Sequence, residues 1–472
     1  MREMYRLVTV DLQAHKTDRD PDDKSNLRRL LRALGLDRAI IFTVLARGWS
    51  SAAGLVTLVL IAHFLSAGEQ GYYYTFGSLV ALQIVFELGF SFVILQMASH
   101  ERAHLSITAD HTIFGSPIAH ARLASVLQKS VRWYSIAALL LFCFLLPIGI
   151  HFFSAHAQPG QYVAWRRPWL LDVLAASFAF QIDPLFSFLE GCGYVPQVAH
   201  TRFWQAFVGS LLAWTALLLH HGLFAPAMMI TGQVLAGSVF LSSRRKLLTG
   251  LLRHNPHPHR IRWWMEVWPF QWRIAISYLS GYFIFQLFIP VLFAFWGPAA
   301  AGKMGMSLTI SNALLAISIS WVSTKAAPFG TMIARKEYGK LDKIFFRVLA
   351  QSATVSAASS LAVWCAVVYI NARHLPFAHR MLAPASFGIL LLSMLVNHIV
   401  FSEAVYLRAH KQEKFLTLSI VGACLTATST LLLGRRFGAM GMVSGYFLLN
   451  LIIGLGFGTY IFSKYRRLWH AA

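Results

Sequence analysis

Charge is the first shortage. Asp, Glu, Lys and Arg make up 13% of the 472 residues and hydrophobic residues 57%, where a soluble domain carries roughly a quarter charged. Such a chain cannot cover its surface with polar groups, so lipid must be the solvent for much of it. Acids are scarcer still, 19 against 41 Lys and Arg, for a formal net charge of +22. That balance suggests nucleic acid. The cations flank apolar runs instead of forming one basic face, which excludes that partner. Cysteine is nearly absent: Cys143, Cys192, Cys365 and Cys424 stand apart and no CxxC occurs, so neither a disulfide framework nor a zinc site is supported. No cofactor is expected. A cleavable signal is not expected either, since the first apolar run starts near Ile40 and is too long for one.

What is present is a series of apolar runs about 20 residues long, the length that crosses a hydrocarbon core. They lie near 44–65, 73–97, 133–154, 168–190, 202–220 and 226–242, then near 273–296, 305–325, 349–370, 384–404, 415–434 and 440–462. The runs holding Glu87, Asp172 and Asp183 are the least apolar. Placing the N-terminus inside puts 34 of the 41 Lys and Arg on the inner side. Arg166, Arg167, Lys303, Arg373, Arg380, Arg435 and Arg436 remain outside. The positive-inside rule therefore predicts a multi-pass inner-membrane protein with both ends in the cytoplasm. The outer loops are short and leave no room for an extracytoplasmic domain.

The chain divides into a cytoplasmic tail (1–38), a first lobe of six spans (39–242), a basic linker (243–272), a second lobe of six (273–463) and a short tail (464–472). Asp11 to Asn26 is polar, dense in both charge signs and predicted to be disordered. Asn26 to Arg38, NLRRLLRALGLDR, reads as a basic amphipathic helix suited to an anionic leaflet. Phe64 to Gly71 closes the first span and Phe295 to Gly302 the seventh, at a constant offset of 231. With the six-plus-six layout, this echo suggests parallel repeats about an axis along the membrane normal. The predicted fold is therefore all-α and polytopic, with about twelve transmembrane helices in two six-helix lobes around a central cavity.

Several short stretches resemble a known family. Arg47-Gly-Trp followed by Ala62-His-Phe-Leu-Ser-Ala-Gly-Glu-Gln-Gly-Tyr72, then Phe86-Glu-Leu-Gly-Phe90, Leu189-Glu-Gly-Cys-Gly193 and Arg436-Phe-Gly-Ala-Met-Gly441, look like their counterparts in polysaccharide flippases. These are the Wzx-like branch of the multidrug/oligosaccharidyl-lipid/polysaccharide (MOP) exporter superfamily. The resemblance spans roughly residues 40 to 462. It implies export of a lipid-linked glycan between leaflets by alternating access, with membrane lipids and glycan-assembly proteins as partners and no covalent chemistry. The superfamily's drug/sodium antiporters resemble one another in carrying acids on the first or seventh helix. Spans one and seven here have none, which counts against a cation-coupled drug exporter. A glycan polymerase or transferase is a further alternative, disfavoured by the short outer loops. So is a structural secretion subunit, which the two-lobe layout makes less natural.

Intramembrane acids are functional candidates by default. Glu87 and Asp183 fall at one depth in one lobe, where they could share a proton. Alternatively Glu87 snorkels and Asp183 caps a kink at Pro184. Glu190 and Glu403 are expected at the interface. Arg47 and Arg273 open spans one and seven and suit bidentate binding of a diphosphate, or are ordinary positive-inside flanks. Trp264, Trp268 and Trp272 read as a headgroup anchor, and His254, His257 and His259 lack the partners of a metal site. Ser352, Ser356 and Ser360 form a small-residue packing seam. Asn397 and Asn450 either line a hydrated path or bond between helices. The topology has a direct test. Reporter fusions at Arg253 and Ala472 should behave as cytoplasmic, and those at Gly160, Gly222 and Ala378 as periplasmic. A periplasmic C-terminus would leave an odd number of spans and remove the two-lobe layout.

Overall fold

A computed structural model describes residues 38–108, 112–157, 163–410 and 412–470. The tail and most of the predicted amphipathic helix lie outside the described residues. The first lobe holds α1 (Arg38–Phe64), α2 (Ala67–Val80), α3 (Ile84–Glu87) and α4 (Phe90–Arg102). After the hairpin of β1 (Leu105–Ile107) and β2 (Ile113–Gly115) come α5 (Pro117–Ala155), α6 (Arg166–Gly191), α7 (Val195–Leu218) and α8 (Ala225–Ser243). A connecting strap carries α9 (Arg245–Arg253) and α10 (Trp263–Glu266). The second lobe holds α11 (Trp268–Phe285), α12 (Phe288–Trp296), α13 (Pro298–Ser323), α14 (Ala326–Ala334), α15 (Tyr338–Ala372), α16 (Pro384–Ala409), α17 (Leu416–Leu449), a π-helical segment (Asn450–Phe457) and α18 (Gly458–His470).

Nine of these helices, alone or joined end to end, are long and apolar enough to span a bilayer, and α2 to α4 form a tenth crossing bent by 45°. The bend has a local cause: Leu88 (φ 49°) and Gly89 (φ 68°) sit in the left-handed region and interrupt the helical ladder. The 55 residues from Leu416 to His470 would run about 80 Å if straight. Gly438, at φ 61° and ψ −145°, turns them back, so that Gly441 and Gly445 pack against Leu433. That stretch is therefore two crossings. The 24-residue α7 packs along α1 and α8 and makes the twelfth. Call the end where α1 begins proximal and the other distal.

The strap is not a loose tether. Strongly amphipathic α9 buries Leu247, Leu248 and Leu251 on the proximal extension of α5, which at 39 residues is far longer than a crossing requires. Gln128 Nε2 donates to the carbonyls of Leu251, Leu252 and His254 at 2.7–3.1 Å. Lys129 Nζ donates to Ile261 O at 2.6 Å. Arg122 bridges Glu101 at 2.7 Å and Glu266 at 2.5 Å. Partial burial works against the Glu266 charge, but the bonds from Arg122 and the Arg262 amide outweigh it and hold the carboxyl below its ordinary range.

The lobes lock together at the distal end. Ser66 and Glu69 form a capping box that starts α2, and the next turn meets the start of α13. A Cβ at Gly71 would collide with the Pro298 carbonyl. One at Gly302 would fall 2.9 Å from Gly71 N and 3.3 Å from Ala67 O. One at Gly305 would strike the Tyr74 ring. Gly71 meets Pro298 as Gly302 meets Ala67, and positions 67, 71 and 74 stand 231 residues before 298, 302 and 305, the offset read from the sequence. The contact is thus self-complementary about a pseudo-twofold axis. Gln70, 1% exposed, seals it by donating Nε2 to the carbonyls of Gly302 and Arg380, both at 2.9 Å. Tyr72 adds an edge-on contact with Phe293 at 4.9 Å. Gly71→Val should force this seal apart. Spin labels on the distal ends of α2 and α13 should then report a longer distance, with no change for Gly77→Val, where nothing lies near an added Cβ. An unchanged distance in the first variant would show that the seal tolerates a side chain.

Candidate functional site

Proximal to the seal the lobes enclose a cavity of about 920 Å³. Its walls come from Phe92 on α4, from Arg273, Ser277 and Tyr278 on α11, and from Arg408, Glu413 and Lys414 around the α16–α17 connection. Gly89 admits α11 here, since Ile274 and Tyr278 lie where its side chain would be. Arg408 Nε donates to Glu413 Oε1 at 3.1 Å. Arg273 lies over Trp272 and Lys414 over Tyr465, with their charged groups 5.4 and 4.4 Å from the ring centres. The cavity therefore carries three cations and one carboxylate. Of the two arginines expected to hold a diphosphate, Arg273 lines it. Arg47 is exposed on α1 and is not among its lining residues. Arg408, not singled out from the sequence, stands where Arg47 was expected, because α16 runs to Ala409 and delivers its last turn to the cavity mouth.

A narrower recess of about 460 Å³ adjoins the cavity inside the second lobe, sharing Ser277 and Arg408. Asn397 and Asn450 line it. Asn397 Nδ2 donates to Tyr446 OH at 2.8 Å, and Asn450 Nδ2 is buried without a partner among the described residues.

Glu87 and Asp183 have different immediate partners. Glu87 ends α3 beside the break in its span and bonds the Ser91 side chain, whose hydroxyl is 3.0 Å from Tyr134 OH. Asp183 Oδ1 accepts from Arg202 Nη1 at 2.9 Å, and Arg202 also reaches Gln205 Oε1 at 3.3 Å. Counted from the sequence as a loop cation, Arg202 stands two turns inside α7. Pro184 does not end its helix, which continues to Gly191. Glu403, expected at the interface, is 4% exposed, because α18 folds over α16 and Thr459 donates to its Oε1 at 2.9 Å. Asp172, noted only for weakening its span, is fully enclosed with neither carboxyl oxygen bonded.

The remaining readings divide. Trp264, Trp268 and Trp272 are all exposed, though a break at Val267 splits them between α10 and α11. Ser352, Ser356 and Ser360 are buried as a packing seam, and Ser352 Oγ also lies 2.9 Å from His398 Nε2. His254 stacks on His120 with ring centres 4.1 Å apart.

No family model matches the chain, and no curated protein matches it in sequence. Solved structures do. A lipid II flippase, MurJ, in an inward closed conformation aligns with TM-score 0.60 at 12% identity, over 89% of this chain and 87% of that one. The MATE multidrug transporter DinF-BH in complex with R6G gives 0.59 at 13%, over 92% and 96%. An inward-facing MATE family transporter of the MOP superfamily gives 0.52 at 12%, over 88% and 99%. The chain shares its fold with these transporters. The multi-span helical fold expected from the sequence resemblance is therefore the one these transporters have.

The two acids of the first lobe make a specific expectation. Glu87→Gln and Asp183→Asn should each flatten the pH dependence of transport while leaving the protein inserted. Arg202→Met should lower thermal stability through an unpaired Asp183, and Asp183→Asn combined with Arg202→Met should recover part of that loss. A pH profile unchanged in both amide variants would remove the shared-proton role.

Proposed function

We propose that the chain is a transporter that carries a lipid-linked oligosaccharide, a polyprenyl diphosphate-linked glycan, across the inner membrane for surface-polysaccharide assembly such as that of lipopolysaccharide. The observation that supports it is the charge of the inter-lobe cavity. Arg273, Arg408 and Lys414 face a single carboxylate, Glu413, which Arg408 already occupies. A compact dianion suits such a wall, and planar guanidinium can bind it at two points. An organic cation would need acids there. Neither α1 nor α11 and α12 carries any.

Transport follows from the lobes rocking about the distal seal. The cavity loads from the cytoplasmic side, Arg273 and Arg408 hold the diphosphate, and the polyprenyl chain stays in lipid. Opening the Gly71–Gly302 contact then exposes the load to the other leaflet. Glu87 and Asp183 couple the cycle to protons. The chain performs no covalent step. The alternative, a drug exporter, has the MATE transporters of the same fold on its side and the cavity's charge against it.

Arginine variants test the reading. Arg273→Lys and Arg408→Lys keep the charge and lose two-point binding, so each should reduce glycan export. Alanine should reduce it further, and the double variant should lose less than the sum. Arg47→Lys separates binding from topology. Normal export would make Arg47 a positive-inside flank, and reduced export would place it in the site. Normal export by the lysine variants at both 273 and 408 would overturn the diphosphate assignment.

A further inference from the structure

The recess of the second lobe adjoins the cationic cavity at Ser277 and Arg408. One face of α16 supplies much of its wall. Asn397, Phe401, Ala404 and Arg408 follow at helical spacing, so the face runs from a guanidinium at the mouth to an amide about 16 Å deeper. Opposite this face stands Asn450, at the first position of the π-helical segment Asn450–Phe457. A π-turn widens the helix and is frequent at functional sites. The Asn450 amide nitrogen is buried beside the Tyr446 hydroxyl, which already accepts from Asn397, and makes no bond of good geometry among the described residues, so a further acceptor would stabilise it.

The chemistry of the wall is selective. No carboxylate lines the recess, and its one charged group is Arg408. Hydroxyls and amides (Ser277, Ser323, Asn397, Thr426, Asn450) alternate with the rings of Phe285, Phe401 and Phe415. A cation finds no counter-charge there, and a purely apolar chain leaves the Asn450 amide unpaired. A neutral polyhydroxylated ring satisfies both kinds of wall, with hydroxyls on the amides and a C–H face on the aromatics.

We infer that this recess is a sugar subsite, in which Asn397 and Asn450 bond the hydroxyls of the glycan's lipid-proximal sugar and Phe401 packs on its ring. The inference rests on the flippase reading and adds to it where specificity is set. The diphosphate at Arg408 and the sugar beside it are covalently adjacent, as are the cavity mouth and the recess. The second lobe then reads the sugar and supplies every charged residue around the diphosphate, with Phe92 of the first lobe facing them.

The test uses the full-length protein in lipid nanodiscs with two probes, polyprenyl diphosphate and polyprenyl diphosphate-linked N-acetylhexosamine, and compares their dissociation constants. The wild type should bind the glycosylated probe about tenfold more tightly than the bare one, a gain of about 1.4 kcal/mol. Asn450→Leu should abolish that difference and leave the bare probe's affinity unchanged. Phe401→Leu keeps the apolar volume and removes the ring, so it should cut the difference severalfold and guards against a folding defect at 450. Arg408→Ala should weaken both probes equally. Equal affinity of the wild type for the two probes overturns the sugar subsite and leaves the diphosphate assignment standing. So does a sugar-dependent gain that survives in Asn450→Leu and Phe401→Leu. Failure of either probe to bind the wild type overturns the flippase reading, and the subsite with it.

Discussion

Two backbones touching with no side chain between them hold the lobes in their present relation. Gly71 and Gly302 place α2 and α13 closer than any other residue would permit, and the repeat of 231 makes each glycine the other's counterpart. Everything proximal to that contact depends on it. The cavity lies proximal to it, between Phe92 of the first lobe and α11, α16 and the α16–α17 connection of the second. Gln70, bonding two carbonyls of the opposite lobe, adds directional bonds to a contact that would otherwise rest on shape alone. Directional bonds of this kind favour one relative placement of the lobes and are lost together when it is abandoned.

Much of this was legible in the sequence, for identifiable reasons. A crossing helix must bury its own backbone polar groups, so span length and apolar composition located nearly every crossing. The family-like stretches proved to be the places where helices stop or turn. Ser66 to Glu69 is a capping box, Leu88-Gly89 a break, Gly193 (φ 95°) a turn between crossings and Gly438 a full reversal. Short motifs centred on glycine survive in such chains because the backbone there admits few alternatives.

The illegible part was pairing. Arg202 and Arg408 lie near apolar-run ends, where the positive-inside pattern explains any cation, so nothing in the sequence separated them from flanks. Only the docking of α7 against α6 shows that Arg202 answers Asp183, and only the length of α16 carries Arg408 to the cavity. The enclosure of Glu403 was illegible for the converse reason. Burial of a helix end is decided by what folds over it, and α18 lies more than fifty residues further along the chain. Hydropathy reports depth along one helix and is silent on which way a side chain faces around it.

The strap gives the molecule an unusual economy of slack. Counted in residues, the chain between the last crossing of the first lobe and the first crossing of the second could stretch across the whole bundle. Fastened along α5 by Gln128, Lys129 and Arg122, it has almost no free length. The two lobes are thus joined by a short joint around Val267, where α10 gives way to α11. The strap therefore adds no slack of its own to the relation that the distal seal sets between the lobes.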